Sequence, residues 1–153
     1  MSYIAEISRS NPTVFLFLVD QSGSMGDRMS SGRSKAEQVA DVLNRTIATL
    51  ITRCTKSEGT RDYFNIGVIG YSENGAYNGF QGALGTSVLN PISAIEASPL
   101  RIEERKRKID DGAGGIVEQS IKFPVWFEQH ANGGTPMCQA ITKAAEDLVA
   151  WCD

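Results

Sequence analysis

The sequence predicts an α/β protein built on an open, mostly parallel sheet with flanking helices. Three observations carry that prediction. Thr13 to Val19 reads TVFLFLV, a continuous apolar run of β-forming residues ended by Asp20, the pattern of a strand buried on both faces. A long amphipathic segment follows, and then a second apolar run, YFNIGVIGY from Tyr63 to Tyr71. Strand, helix and strand in that order imply a parallel pair joined by a right-handed crossover.

Between the first strand and the helix, QSGSMGDRMSSGR is a polar Gly/Ser loop. Ser34 and Glu37 then have the spacing of a capping box, so the helix is expected to start near Ser34. Ala36, Val39, Ala40, Leu43, Ile47, Leu50, Ile51 and Cys54 recur at steps of three and four, which puts them on one packed face. Lys35, Gln38, Asp41 and Arg45 are expected to face outward, and the helix to end near Thr55. In the second strand, Gly67 and Gly70 mark places where another group approaches closely. Gly79 to Leu89, with Gly82, Gly85 and Thr86 between short apolar pieces, suggests a hairpin with an edge strand. Asn90 to Gly115 holds Pro91, Pro99, the charged run RIEERKRK and DDGAGG. It shows no sustained period and is expected to be a long excursion with short helical turns and solvated charges. Ile121, Phe123, Val125 and Phe127 alternate within Ile116 to Glu128, with Pro124 on the other face, as in an edge strand or extended arm. The last element reads as a helix with Thr135 as N-cap and Pro136 at its first position. Met137, Ala140, Ile141, Ala144, Ala145, Leu148, Val149 and Cys152 form its apolar face.

A chain of 153 residues, 41% of them hydrophobic, suffices for one core, so residues 1–153 are expected to form one domain. Fifteen Lys and Arg against eighteen Asp and Glu leave a net charge of -3, which gives no electrostatic reason to expect nucleic acid or an anionic membrane as partner. No run approaches the length of about 20 apolar residues that a membrane-spanning helix needs. The start, MSYIAEISRSNP, lacks the basic and apolar pattern of a secretion signal, so a cytoplasmic location is expected. Cys54, Cys138 and Cys152 are odd in number and widely spaced, without a zinc or redox pattern. Each is expected to be a small buried hydrophobe on a helix face.

Chemistry concentrates at the end of the first strand. Asp20, Ser22 and Ser24 put one carboxylate and two hydroxyls at alternate positions, with Gly23 letting the backbone fold so that they converge. Oxygen ligands of this kind suit a hard cation, and magnesium, which keeps several waters, fits a shell poor in carboxylates better than calcium does. The plain alternative is a Gly/Ser turn whose Asp binds nearby amides. Position favours the site, because open α/β sheets bind ligands beyond the carboxyl ends of their strands. Far along the chain, Asn132-Gly133-Gly134-Thr135-Pro136 delivers a second hydroxyl loop at the start of a helix.

D-x-S-x-S after a strand, with G-G-T-P before a later helix, resembles the von Willebrand factor type A (VWA) family and its metal-ion-dependent adhesion site. The resemblance spans Thr13 to Cys152 and implies a Rossmann-like sheet. It implies that Ser22, Ser24 and Thr135 are hydroxyl ligands and Asp20 a ligand directly or through water. The ion would be Mg2+, with Mn2+ or Ca2+ as substitutes. Neutral ligands leave such an ion electrophilic, so that an Asp or Glu of a partner protein can coordinate it. Two features depart from the family. Its members continue past the last helix into another strand ending in an acidic residue, whereas here the helix is followed directly by Asp153. The later strands that would flank Thr13 to Val19 are missing as well, leaving an apolar edge. The chain is therefore expected to be a fragment, a truncated reading frame, or half of an assembly in which another chain completes the sheet. Asp110 or Asp111 could replace the missing carboxylate, although a solvated turn is the simpler reading of both.

The sequence thus points to a non-catalytic, metal-dependent protein-binding module. Three alternatives compete with it. Asp20 could accept a phosphoryl group, but such sites need a second carboxylate two residues on, and position 22 is Ser. His130 lies close in sequence to Cys138, which raises a Cys/His nucleophile, yet Cys138 is expected to be buried. The third is a structural subunit with a vestigial metal site.

Overall fold

In a computed structural model of the chain, residues 6–153 are described. β1 (Thr13–Asp20) passes through a 3-10 turn at Gly23–Gly26 into α1 (Lys35–Cys54). A short hairpin of β2 (Thr55–Lys56) and β3 (Gly59–Thr60) leads to β4 (Phe64–Ser72). Next come β5 (Gly75–Asn78), β6 (Leu89–Pro91), α2 (Ile92–Ala97), the long pair β7 (Arg101–Asp110) and β8 (Ile116–Val125), and finally α3 (Met137–Cys152). The described residues thus form a mixed α/β structure with three α-helices and a sheet that combines parallel and antiparallel pairing. None of these helices is long and apolar enough to cross a membrane.

β1 pairs in parallel with β4 from Thr13↔Phe64 to Asp20↔Tyr71. The apolar runs predicted as strands are therefore neighbours, and Ile66, Val68 and Ile69 of β4 are fully buried between layers. The other edge of β4 is shared: β5 pairs antiparallel with Ile69–Ser72 and β6 with Asn65–Gly67. This corrects the hairpin expected over Gly79 to Leu89. The return strand comes earlier, through a tight turn that Gly75 completes at φ +83. Gly79 to Leu89 instead carries a 3-10 turn, Gly82–Thr86, that joins two short strands on one edge. Both strand glycines are closely approached. A Cβ on Gly67 would lie 2.7 Å from Leu89 and 2.8 Å from Leu16, and one on Gly70 2.3 Å from the Gln21 carboxamide.

α1 begins with the expected capping box, the Glu37 N–H donating to Ser34 Oγ at 3.1 Å and the Ser34 N–H to Glu37 Oε2 at 2.6 Å. Its apolar face packs on β4, α2 and the segment after β8. Two polar residues differ from the sequence pattern. Asp41, expected outside, is buried beneath Arg33 and Arg105, whose guanidinium nitrogens lie 2.6 and 2.9 Å from its carboxylate oxygens. Asn44, also buried, accepts the N–H groups of Trp126 and Phe127 on Oδ1 at 2.8 and 2.9 Å. Its Nδ2 donates to the Phe127 carbonyl at 2.9 Å. Trp126 adds Nε1–H to the Ile95 carbonyl at 2.6 Å. An irregular segment that could not satisfy its own backbone when buried is thereby held on the helix.

The excursion expected from Asn90 to Gly115 is mostly ordered strand. α2 is its one α-helical turn, and β7 pairs with β8 along its length, Arg101↔Val125 to Asp110↔Ile116. The charges of β7 hide this from a search for apolar alternation. Several of them are paired: Arg105 contacts Glu103 at 2.7 Å as well as Asp41 of α1, and Arg101 contacts Glu103 and Glu128. The Arg105 guanidinium also lies 3.8 Å above the Phe123 ring, a cation–π contact. The arm expected over Ile116 to Glu128 is thus one strand of a hairpin that contacts α1 and buries Phe123 and Val125.

α3 buries only Ala140 and Ala144, against Ile69 and Tyr71. Met137, Ile141 and Val149, expected on a packed face, are more than half exposed, and Cys138 and Cys152 are exposed where burial was expected. Cys54 alone of the three is buried. The cause is the sheet: among the described residues no strand lies beyond β1, so α3 has only part of a layer to cover. Phe15 and Leu18 on that open edge are each 37% exposed.

Asn44→Ala should lower unfolding free energy by about 3 kcal/mol in urea titration, because it leaves three buried backbone groups unpaired at about 1–3 kcal/mol each. Burial pushes the Asp41 carboxyl up, but hydrogen bonds and charge from Arg33 and Arg105 outweigh it and hold the group below its ordinary value. A depressed carboxylate contributes stability above its unfolded value of about 3.9 and loses it as pH falls through the folded value. Denaturant midpoints measured from pH 7 down to pH 2 should therefore drop below about pH 4, and Asp41→Asn should flatten that part of the curve.

Candidate functional site

The site begins where β1 leaves the sheet. Gln21 extends the parallel ladder by one bond, its N–H donating to the Tyr71 carbonyl at 2.9 Å. Asp20 Oδ1 then accepts the Ser22 N–H at 2.8 Å, the Asx-turn geometry that bends a chain sharply without glycine. The Ser22 and Ser24 hydroxyls come to 3.3 Å of one another. Met25 and Asp27 N–H groups close the 3-10 turn on the Ser22 and Ser24 carbonyls at 3.0 and 3.1 Å. Ser22 is buried while Ser24 is exposed. Gly23 takes no left-handed conformation, and a Cβ there would meet only ordinary contacts at 3.5 Å. The fold of the loop thus comes from Asp20, not from glycine freedom as expected.

The second loop is seated against the first by backbone. Gly23 N–H donates to the Gly133 carbonyl at 2.9 Å and Asn132 N–H to the Gln21 carbonyl at 2.9 Å. A third element joins them: Glu73 N–H donates to the Asn132 carbonyl at 3.3 Å, and Asn132 Nδ2 to Glu73 Oε1 at 2.8 Å. Gly133, at φ +65, packs so tightly on Glu73 that a Cβ would come within 2.0 Å of the Glu73 Cβ. Thr135 follows two residues later, exposed. It is not the helix cap: Pro136 occupies the N-cap position, α3 starts at Met137, and no side chain caps it. The Thr135 carbonyl accepts the Met137 N–H at 2.8 Å. One carboxylate and three hydroxyls thus stand on two loops in contact at the carboxyl end of the sheet. Burial, and next in size the Asp20 charge, raise the pKa of the Tyr71 phenol beside it.

The other candidates disperse. Asp110 and Asp111 lie in the β7–β8 turn, where their carboxylates accept N–H groups of Gly112, Ala113 and Gly115 at 2.8 to 2.9 Å. Asp153 follows the end of α3 as its C-cap. His130 and Cys138 line different cavities. Glu73, which carries no motif signal, is the carboxylate that packs against the second loop. Its position was legible only in one respect, as a polar residue just past the end of the second predicted strand. Among the described residues no group of three or more His, Cys, Asp or Glu could hold a metal ion.

Gly133→Ala should cost at least about 1–2 kcal/mol, the penalty of a left-handed non-glycine residue, with the Glu73 clash added. Gly23→Ala should be nearly neutral. Thermal denaturation of the two variants checks the contrast. No protein-family model matches this chain, and no curated protein and no solved structure is similar to it at a significant level.

Proposed function

We propose that the chain is a non-catalytic, divalent-cation-dependent protein-binding module of the VWA kind, built on a Rossmann-like sheet. The observation that supports this most is the docking of the Asn132–Thr135 loop onto the Asp20–Ser24 loop by two backbone hydrogen bonds. Residues more than a hundred positions apart are brought to the strand end at which open α/β sheets take ligands.

The donor set fits a hard cation. Asp20 keeps an oxygen that does not receive the Ser22 N–H, and Ser22, Ser24 and Thr135 offer neutral oxygens. Mg2+ suits such a set, and Mn2+ or Ca2+ can replace it. With one carboxylate the affinity should be about millimolar. A bound cation would supply a Lewis-acidic point between the two loops, and the partner protein would bring an Asp or Glu to it. The chain's own residues orient that point: Asp20 contributes charge, and Gly23 and Gly133 hold the loops in register. The open edge of β1, with Phe15 and Leu18, is where a further chain would complete the sheet. Three free thiols fit a reducing compartment such as the cytoplasm.

Substoichiometric Mn2+ should broaden the amide resonances of Gln21–Ser24 and Gly133–Thr135 in NMR spectra, and Mg2+ should reverse it by competition. Asp20→Ala should abolish the effect, and Thr135→Ala should weaken it severalfold. Broadening centred on Asp110 and Asp111, or unchanged by Asp20→Ala, would refute the proposal.

A further inference from the structure

A cavity of about 420 Å³ opens beside the Gln21 side chain, between the carboxyl end of β4 and the segment after β8. We propose that it binds an uncharged, hydroxyl-rich small molecule of about monosaccharide size. Its volume falls in the range of about 300–1,000 Å³ common to ligand pockets. The observation that points to a ligand is Ser72. This residue lines the cavity with no exposed surface, and its hydroxyl has no hydrogen-bond partner. Buried hydroxyls are nearly always paired, so an orphan at the floor of a polar cavity indicates a group that arrives from outside.

The remaining lining defines what that group is. Two walls are locked in place. The Tyr77 hydroxyl donates to Gln21 Oε1, and Gln21 Nε2 donates to the Glu128 carbonyl at 3.2 Å. Gln21 lies over Gly70, where a side chain of any size would displace it. Gln81, Gln129 and His130 stand exposed at the rim. The Glu128 carboxylate is paired with Arg101, so the cavity presents no uncompensated acid to a cation. It presents no Lys or Arg to an anion either. Carboxamides and the Ser72 hydroxyl each combine donor and acceptor. A ligand that satisfies them together needs groups that do both, as vicinal hydroxyls do. An apolar ligand would leave Ser72 unpaired.

This inference does not depend on a cation, so it is tested with chelator present. D-glucose, D-galactose and glycerol are titrated into the 15N-labelled chain and followed by NMR. Saturable shifts should appear at Ser72–Tyr77, at Glu128–His130 and at the Gln21 and Gln81 side-chain amides for at least one of these probes. Ser72→Ala should weaken that binding tenfold or more while leaving the melting temperature equal or higher, because it removes an unpaired buried hydroxyl. Gln81→Ala, an exposed change, should weaken binding without affecting the fold. Three results would overturn the proposal: no saturable shift with any of the three probes, stronger shifts of the same residues with phosphate or methylammonium, or a Ser72→Ala variant that melts lower. The last would show that the hydroxyl already has an internal water as partner.

Discussion

One carboxamide, that of Asn44, fixes the segment from which the later part of the structure starts. It lies on the inner face of α1 and binds three backbone groups of Trp126 and Phe127. Those groups belong to a segment that leaves β8 without entering another strand, so neither sheet nor helix can satisfy them. Buried backbone without partners costs several kcal/mol. Asn44 removes that cost and lets Trp126 and Phe127 enter the main core beside Ile47, Val68 and Ile95. Everything downstream, including His130, Asn132, Gly133 and Thr135, starts from the position this clamp sets.

The charged network on the same helix works in parallel. Asp41 sits one turn before Asn44 and gathers Arg33 from the loop after β1 and Arg105 from β7. A buried carboxylate is costly unless it is paired and hydrogen-bonded, and here each oxygen faces a different guanidinium. The β7–β8 hairpin is thereby fixed to α1 at its base, while its turn, held by Asp110 and Asp111, projects as a self-contained unit. Three of the five cationic residues of β7, Arg101, Arg105 and Lys106, are paired with carboxylates, which reduces the net charge of the RIEERKRK run.

At the carboxyl end of the sheet the two strands β1 and β4 finish in register, and each passes a polar residue to the same corner: Asp20 from one and Glu73 from the other. The Asn132–Thr135 loop is hydrogen-bonded to Gln21 and Gly23 after β1 and to Glu73 after β4. Gly133 is required there for two independent reasons, its left-handed backbone and the absence of space for a Cβ. Beside the Gln21 side chain the same ends enclose the cavity over Ser72. One residue, Gln21, therefore joins the two loops through its backbone and lines the cavity over Ser72 with its side chain.

Much of the frame was determined by sequence alone. The two apolar runs, the capping box at Ser34 and Glu37, and the period of α1 are local signals, and they specify β1, α1 and β4 with their parallel order. The sharp turn after β1 is local as well, although the Asp20 carboxylate makes it and not the expected glycine. Tertiary structure decided the rest. β7 is a strand because β8 pairs with it and because several of its charges find partners, which no apolar period announces. Asp41 and Asn44 are buried because of what the chain brings to them sixty to eighty residues later. Cys138, Cys152 and half the apolar face of α3 stay exposed because, among the described residues, no further strand lies beyond β1 to receive them. Periodicity states which face of a helix is apolar; whether anything meets that face is settled only by the topology of the layer opposite.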